Sequence, residues 1–439
     1  MTKLIHRNLA NIYLLFTREP FVSYFSEELE YYYDERGYLG VIAYDYTDDD
    51  FNVIVLSRDD SLQFRAIDTK TSIETLKEAR ETLKDSINSN KIIKHDTVEF
   101  FDIFREKKRP KNIHPFFLLL DNNKEYSSAK EVLKEISYHY KDIDGNFIDQ
   151  FQSINGFDAR LWEIFLFCLF REQRFSFNRN NDSPDFIVKK LEDEIAIEAV
   201  IISRKNKSYD PIPIPSKEEM LSRINNEVPL MICNAIYTKA EKKYWDKPHV
   251  KDKPFMIAIA DFHDTASMTW SFEGFLIALY GVKVKNSSNL NDCFERVEFL
   301  EKPNGTKINA GLLLDKFYEN ISAIIYNPTG TISKFNRLGK QANLGDITNI
   351  LIRSVTFHNH EEGAMMPIVY EYIVDEKYSE NWSEGTSIFH NPNAKIPLDP
   401  NLFDDNIAQH FWENDKIRSF IPQFHAYQNL TTNIKLSKK

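Results

Sequence analysis

The sequence predicts a mixed protein, α+β over its whole length, around an α/β unit ordered helix–strand–strand–strand–helix–strand between about residues 155 and 262. Three observations predict it. The stretch FDARLWEIFLFCLFREQ (157–173) has helix length and is apolar almost all round, as a buried helix must be. Three strand-like runs follow closely: RFSFNR (174–179), PDFIVKK (184–190) and EIAIEAVIIS (194–203), the first two divided by the turn NNDS. After a long polar loop, the Pro-rich PIPIP (211–215) and the helical piece SKEEMLSRI (216–224), a helix over NEVPLMICNAIYTKAEKKYW (226–245) leads to the apolar strand PFMIAIADF (254–262).

On either side of this unit the patterns differ, so three regions are expected: 1–148, 149–285 and 286–439. In the first, GVIAYDY (40–46), FNVIVLS (51–57) and LQFRAID (62–68) are rich in β-branched and aromatic residues and separated by Asp-rich turns, hence strands. A helix is expected from Ser72 to about Ser89, a strand over FFLLLD (116–121) beyond the basic loop REKKRPKN (105–112), and a helix around 127–141. This region reads as a structural, sensing or substrate-positioning domain. A helix near 271–280, at the end of the second region, leads into the third, which holds a helical stretch (309–320), a strand SAIIYNP (322–328), the basic segment ISKFNRLGKQ (332–341) and a loop-dominated end from about 376.

Composition narrows the function classes. With 42% apolar and 28% charged residues the chain has material for large cores, which argues against disorder. Neither GxxxxGK[ST] nor GxGxxG occurs, which removes the usual nucleotide-binding loops. The three cysteines, Cys168, Cys233 and Cys293, are far apart, so neither a disulfide framework nor a CxxC zinc site is expected. HExxH and GxSxG are missing too, and His358 and His360 read as a loop pair. The first residues do not read as a signal peptide and no apolar run is long enough for a membrane span, which points to a reducing, cytoplasmic compartment. A net charge of −11 does not advertise nucleic-acid binding, so any such role must rest on local basic patches.

Asp185 and Glu198 carry the chemistry. Asp185 follows Pro184 at the start of one strand, and Glu198 lies in the apolar strand IAIEAVII, where a carboxylate is costly unless paired or bound to a cation. If the two strands form a hairpin, the carboxylates face each other at one end of the sheet. Such a pair suits Mg²⁺, which takes oxygen ligands and keeps several waters. A turn or strand-start role for Asp185 is the plain alternative.

Pro184-Asp185 and Glu198-Ala199-Val200, in this order of elements, resemble the PD-(D/E)xK, or restriction-endonuclease-like, nuclease superfamily, whose core is αβββαβ. The resemblance covers about 110 residues and implies a Mg²⁺- or Mn²⁺-dependent endonuclease, acting on DNA ahead of RNA. It implies that Asp185 and Glu198 hold the metal and that Glu163, on the first helix, assists as a ligand; a salt bridge to Arg160 is the alternative for Glu163. Proteins of this build often resemble phage-defence or mobile-element nucleases, and duplex cutters among them often dimerise, which leaves a homodimer open. Where the family usually has lysine this chain has Val200.

The family sometimes supplies that cation from the following helix. At about 100° per residue, Lys239 falls in the middle of the apolar stripe of Val228, Met231, Ile232 and Ile236, with Lys242 and Lys243 on either side. Lys239 is therefore the expected replacement, and snorkelling beyond the core is the alternative. Lys242, Lys243, Tyr244, Trp245 and His249 form a basic, aromatic segment suited to nucleic-acid contact, as do Lys334 and Arg337, against ordinary core, turn or loop roles. Two rival functions remain: an inactive member of the fold acting as a nucleic-acid-binding or scaffold module, favoured by Val200, and an interaction protein without nucleic acid, favoured by the net charge.

Overall fold

Strand propensity and Asp-containing turns organise the first region. In the computed structural model, which describes residues 2–89, 100–105, 112–143, 145–204, 216–264, 266–285, 294–346, 348–364 and 366–435, β1 (Lys3–Ile5) is followed by α1 (Arg7–Leu14). Then β2 (Ser26–Tyr33), β3 (Leu39–Asp45), β4 (Asp50–Arg58) and β5 (Phe64–Ile73) form an antiparallel meander in chain order. One face is closed by α2 (Leu76–Ser89), whose Ala79, Leu83 and Ile87 pack on Ile42, Val53 and Val55.

The run FFLLLD, expected as a strand, is instead in α3 (Pro115–Asn122). Pro115 occupies the first helical position and His114 Nδ1 accepts from the Phe116 amide at 3.1 Å, a helix-start signal that outweighs the apolar run. Next come α4 (Ser127–Ser137), α5 (Phe147–Gln152) and α6 (Phe157–Glu172). Twelve of the sixteen residues of α6 are buried, and Trp162 donates its indole N–H to the Ala258 carbonyl at 3.1 Å.

Beneath α6 lies an eight-stranded mixed sheet. Its strands are β6 (Ser176–Asn178), β7 (Phe186–Lys190), β8 (Asp193–Ile202), then, after α7 (Lys217–Ser222) and α8 (Val228–Ala240), β9 (Phe255–Asp261). β6, β7 and β8 are antiparallel neighbours, and β9 returns parallel to β8. Every residue of β9 is buried, which fits an apolar strand covered on both faces. α6 packs on one face with Ile195 and Ile197; α8 and α9 (Phe272–Tyr280) pack on the other with Ala196 and Val200.

Two small hairpins follow, β10 (Val282–Val284) with β11 (Phe294–Arg296) and β12 (Phe299–Glu301) with β13 (Lys307–Asn309). The helix expected over 309–320 is replaced by two short 3-10 turns. Gly311 has a positive φ of 72°, and Asp315 is extended and caps the Phe317 amide at 2.9 Å, so no continuous helix forms. The sheet then continues through β14 (Ala323–Tyr326), parallel to β9, so it crosses the boundary expected near 285.

The basic segment 332–341 is α10 (Ile332–Gln341), and β15 (Asn349–Phe357) and β16 (Ile368–Ile373) begin a three-stranded sheet. The end of the chain is not loop-dominated. It supplies β17 (Ser387–His390), β18 (Ala408–Glu413) and β19 (Lys416–Phe420), which extend the large sheet, and β20 (Ala426–Lys435), which pairs with β15. The sequence pattern conceals these strands because their buried positions include the polar residues Ser387, His390 and His410. The expected basic loop over 105–112 lies almost wholly outside the described residues, as do most of the polar loop after β8, PIPIP (211–215) and Cys293.

A buried ion cluster locks α10 to the last third of the chain. Glu380 accepts from Arg337 at 2.7 Å, lies 3.1 Å from Lys334 Nζ and receives the Tyr378 hydroxyl at 2.7 Å. Burial pushes its carboxyl up, but Arg337, Arg353 and Lys334 outweigh that and hold it well below the usual range. A depressed carboxyl contributes stability above its ordinary pKa, and that contribution is lost as pH falls through the depressed value. Glu380→Gln leaves these cations under-compensated and should cost about 3–5 kcal/mol in urea unfolding.

Candidate functional site

The β7–β8 hairpin sets the register of the carboxylates. Phe186 pairs with Ile197, which places Asp185 at the end of β7 beside Glu198, and Asp185 Oδ2 accepts from the Ala199 amide at 2.8 Å. Asp185 is partly exposed, whereas Glu198 is only 5% exposed. From the α6 face comes Glu163, also buried, accepting from Arg160 Nη1 at 2.7 Å and from the Tyr140 hydroxyl at 3.2 Å. The salt bridge named as its alternative is thus made.

The opposite face brings the cation. Lys239 Nζ lies 2.6 Å from Glu198 Oε1. Side chains alternate along a strand, so Glu198 and Val200 project to the same face. Val200 packs against the α8 core, and Lys239 reaches this face from α8. Just past the helix, after Lys243 in the left-handed region at φ 47°, a short turn carries Tyr244 inward. Its hydroxyl donates to the same Glu198 oxygen at 2.6 Å.

These contacts set the electrostatics. Burial, then Glu163, then Glu198 push the Asp185 carboxyl well above its ordinary value; the Ala199 amide and Lys239 offset this only in part. Burial raises Glu163 as well, against the pull of Arg160. Burial and Glu198 likewise raise the Tyr244 phenol, which keeps it a donor. Asp185 Oδ1 and Glu198 Oε2 accept from no group among the described residues, so both are free to face a cation. No group of three or more His, Cys, Asp or Glu side chains is placed to hold an ion among the described residues. An ion held here would take one or two carboxylates and complete its shell with water, a mode Mg²⁺ tolerates.

The remaining candidates divide. Lys242 and Lys243 are exposed beside the site. Tyr244 is buried on Glu198 rather than presented to a ligand, and Trp245 packs edge-on against Phe255 at 5.8 Å between ring centres. His249 Nε2 donates to the Ser183 carbonyl at 2.8 Å, and Lys247 Nζ reaches the same carbonyl at 3.4 Å, so together they hold the turn before Asp185. Lys334 and Arg337, expected as phosphate contacts, are 0% and 1% exposed and neutralised by Glu380. They belong to the core of α10, a correction forced by that glutamate, which lies 43 residues beyond Arg337.

Sequence pattern alone does not reveal Tyr140, Arg179 or the inward role of Tyr244. Tyr140 and Arg179 flank α6 in the chain, and only the fold brings them to Glu163. Compared with protein-family models, curated proteins and solved structures, the chain matches none. Among the described residues no helix is long and apolar enough to cross a membrane.

A carboxyl with a raised pKa contributes stability that is fully present below its ordinary value and is lost as pH rises through the raised one. The charged Asp185 is therefore a burden at neutral pH unless a cation joins it. In metal-free buffer at pH 7.5, Asp185→Asn should raise the melting temperature by about 2 °C. Mn²⁺ should stabilise the wild type, and Asp185→Asn and Glu198→Gln should abolish that response in differential scanning fluorimetry.

Proposed function

We propose that the chain is a metal-dependent nuclease that hydrolyses phosphodiester bonds, with DNA ahead of RNA as substrate. One observation carries the reading: Lys239 reaches Glu198 from α8, on the face where Val200 stands in place of a motif lysine. The order α6, β6, β7, β8, α8, β9, with Asp185 and Glu198 at adjacent strands, is the order the PD-(D/E)xK resemblance implies and supports the same reading.

In this reading Asp185 and Glu198 would hold Mg²⁺ or Mn²⁺. When bound, the ion supplies positive charge to the phosphoryl oxygen that becomes more negative during cleavage. The chain's own residues do the rest. Lys239 reaches Glu198 from α8, where it can orient the attacking water. Tyr244 fixes the Glu198 carboxylate from the same side, and Glu163 lends negative charge next to Asp185 while Arg160 anchors it.

The inactive-fold reading keeps one observation in its favour, the apolar packing of Val200. A cleavage assay on duplex, single-stranded and supercoiled DNA and on RNA, with Mg²⁺, Mn²⁺ or EDTA, separates the two. Wild type should cut only with metal, and Asp185→Ala and Glu198→Ala should not cut. Lys239→Ala should slow cleavage roughly a hundred- to ten-thousand-fold, and adding Val200→Lys to that variant should restore part of the rate. No cleavage from folded wild type on any substrate would leave the inactive fold as the better account.

A further inference from the structure

A chain with a net charge of −11 carries, beside the carboxylate cluster, a groove lined by cations and no carboxylate. Its volume is about 420 Å³, and it lies where the first region, the end of α4 and the β6 edge of the large sheet meet. Lys141, Arg171 and Arg179 bring three positive charges to it, with His139, Gln63 and Asn180 as polar neighbours. Phe16, Phe167 and Phe177 supply an apolar wall.

None of the three cations is neutralised by an ion pair among the described residues. Arg171 spends its guanidinium on the carbonyls of Leu15, Phe16, Arg18 and Phe175, which fixes its position, and only the more distant charge of Glu19 opposes its own. Arg179 lies over the Tyr140 ring at 4.1 Å, and its Nε and Nη1 have no hydrogen-bond partner. Lys141 is exposed. The local field shows on His139, which burial, Arg65, Arg58 and Arg171 push down to about 4. A neutral histidine there leaves the excess positive charge to the lysine and the arginines.

Arg179 also joins this groove to the proposed centre. Its charge acts on Glu163, and Tyr140, the ring beneath it, donates its hydroxyl to Glu163. The turn after Arg179 leads directly to Asp185. We infer that this groove holds phosphodiester groups of the nucleic-acid strand flanking the bond presented to Asp185 and Glu198. The inference rests on the nuclease reading for the direction of the strand, while the binding itself does not require catalysis. A guanidinium held by carbonyls and an exposed lysine suit a repeating anion, and the phenylalanine wall suits the apolar faces of sugar and base.

The test is fluorescence anisotropy of labelled single-stranded and duplex DNA, in EDTA so that no strand is cut. Lys141→Glu, at an exposed position, should weaken binding about tenfold and lower the salt slope by about one. Lys141→Arg should bind like wild type. Lys416→Glu, an exposed lysine on β19 at the far edge of the sheet, should leave binding unchanged. Equal affinity for Lys141→Glu and wild type, or no binding by wild type, would overturn the inference. Parallel cleavage assays in Mg²⁺ separate it from the nuclease reading. Cleavage with an unchanged KM in Lys141→Glu removes the groove and keeps the nuclease. Binding that depends on Lys141 without any cleavage keeps the groove and removes the nuclease.

Discussion

A carboxylate in the middle of a buried strand must be compensated, and Glu198 is the residue on which the arrangement around it depends. Burying an unpaired carboxylate costs several kcal/mol. Lys239 and Tyr244 both meet Glu198 Oε1, so α8 and the turn behind it are tied to β8 by polar contacts as well as by apolar packing. The same segment, through Lys247 and His249, holds the turn from which Asp185 emerges. One stretch of chain therefore secures both carboxylates from one side, while α6 secures the other.

The two faces of the large sheet contribute opposite things. From α6 comes additional negative charge, Glu163, restrained by Arg160 and Tyr140. From α8 comes the positive charge, Lys239. Asp185 lies between these influences, and its raised carboxyl records that negative charge and burial prevail. This imbalance is what a bound divalent cation would relieve, and it distinguishes the cluster from the one at Glu380. There, two arginines and a lysine meet buried Glu380, with Glu384 also pairing to Arg353, and the result is a structural lock.

Much of the central unit is legible in the sequence because its signals are local. α6 and β9 stand out as nearly continuous apolar runs of helix and strand length, and the helical phase of α8 is enough to put Lys239 among Val228, Ile232 and Ile236. What local signals do not show are pairings across long separations. Lys334 and Arg337 look like a surface cluster until Glu380 is placed against them. Tyr244 looks like a stacking residue until the left-handed Lys243 turns it toward Glu198. FFLLLD lacks a decisive period and takes its helix from His114 and Pro115. The last third of the chain hides its strands behind buried hydroxyls and imidazoles such as Ser387 and His410, which contact one another.

The continuation of the large sheet past β9 has a consequence for how the chain comes off the ribosome. β9 is buried along its whole length between β8, made before it, and β14, made well after it. β17 and β18 arrive later still. Until Ala323–Tyr326 has been synthesised, the open edge of β9 presents unpaired peptide groups along a strand apolar but for Asp261, the kind of template that recruits other chains. The segment bearing Asp185, Glu198 and Lys239 is thus complete in sequence long before its sheet is closed. A nascent chain halted soon after β9 would hold the entire carboxylate–lysine set on an aggregation-prone scaffold, and the finished sheet is what makes that set safe to carry.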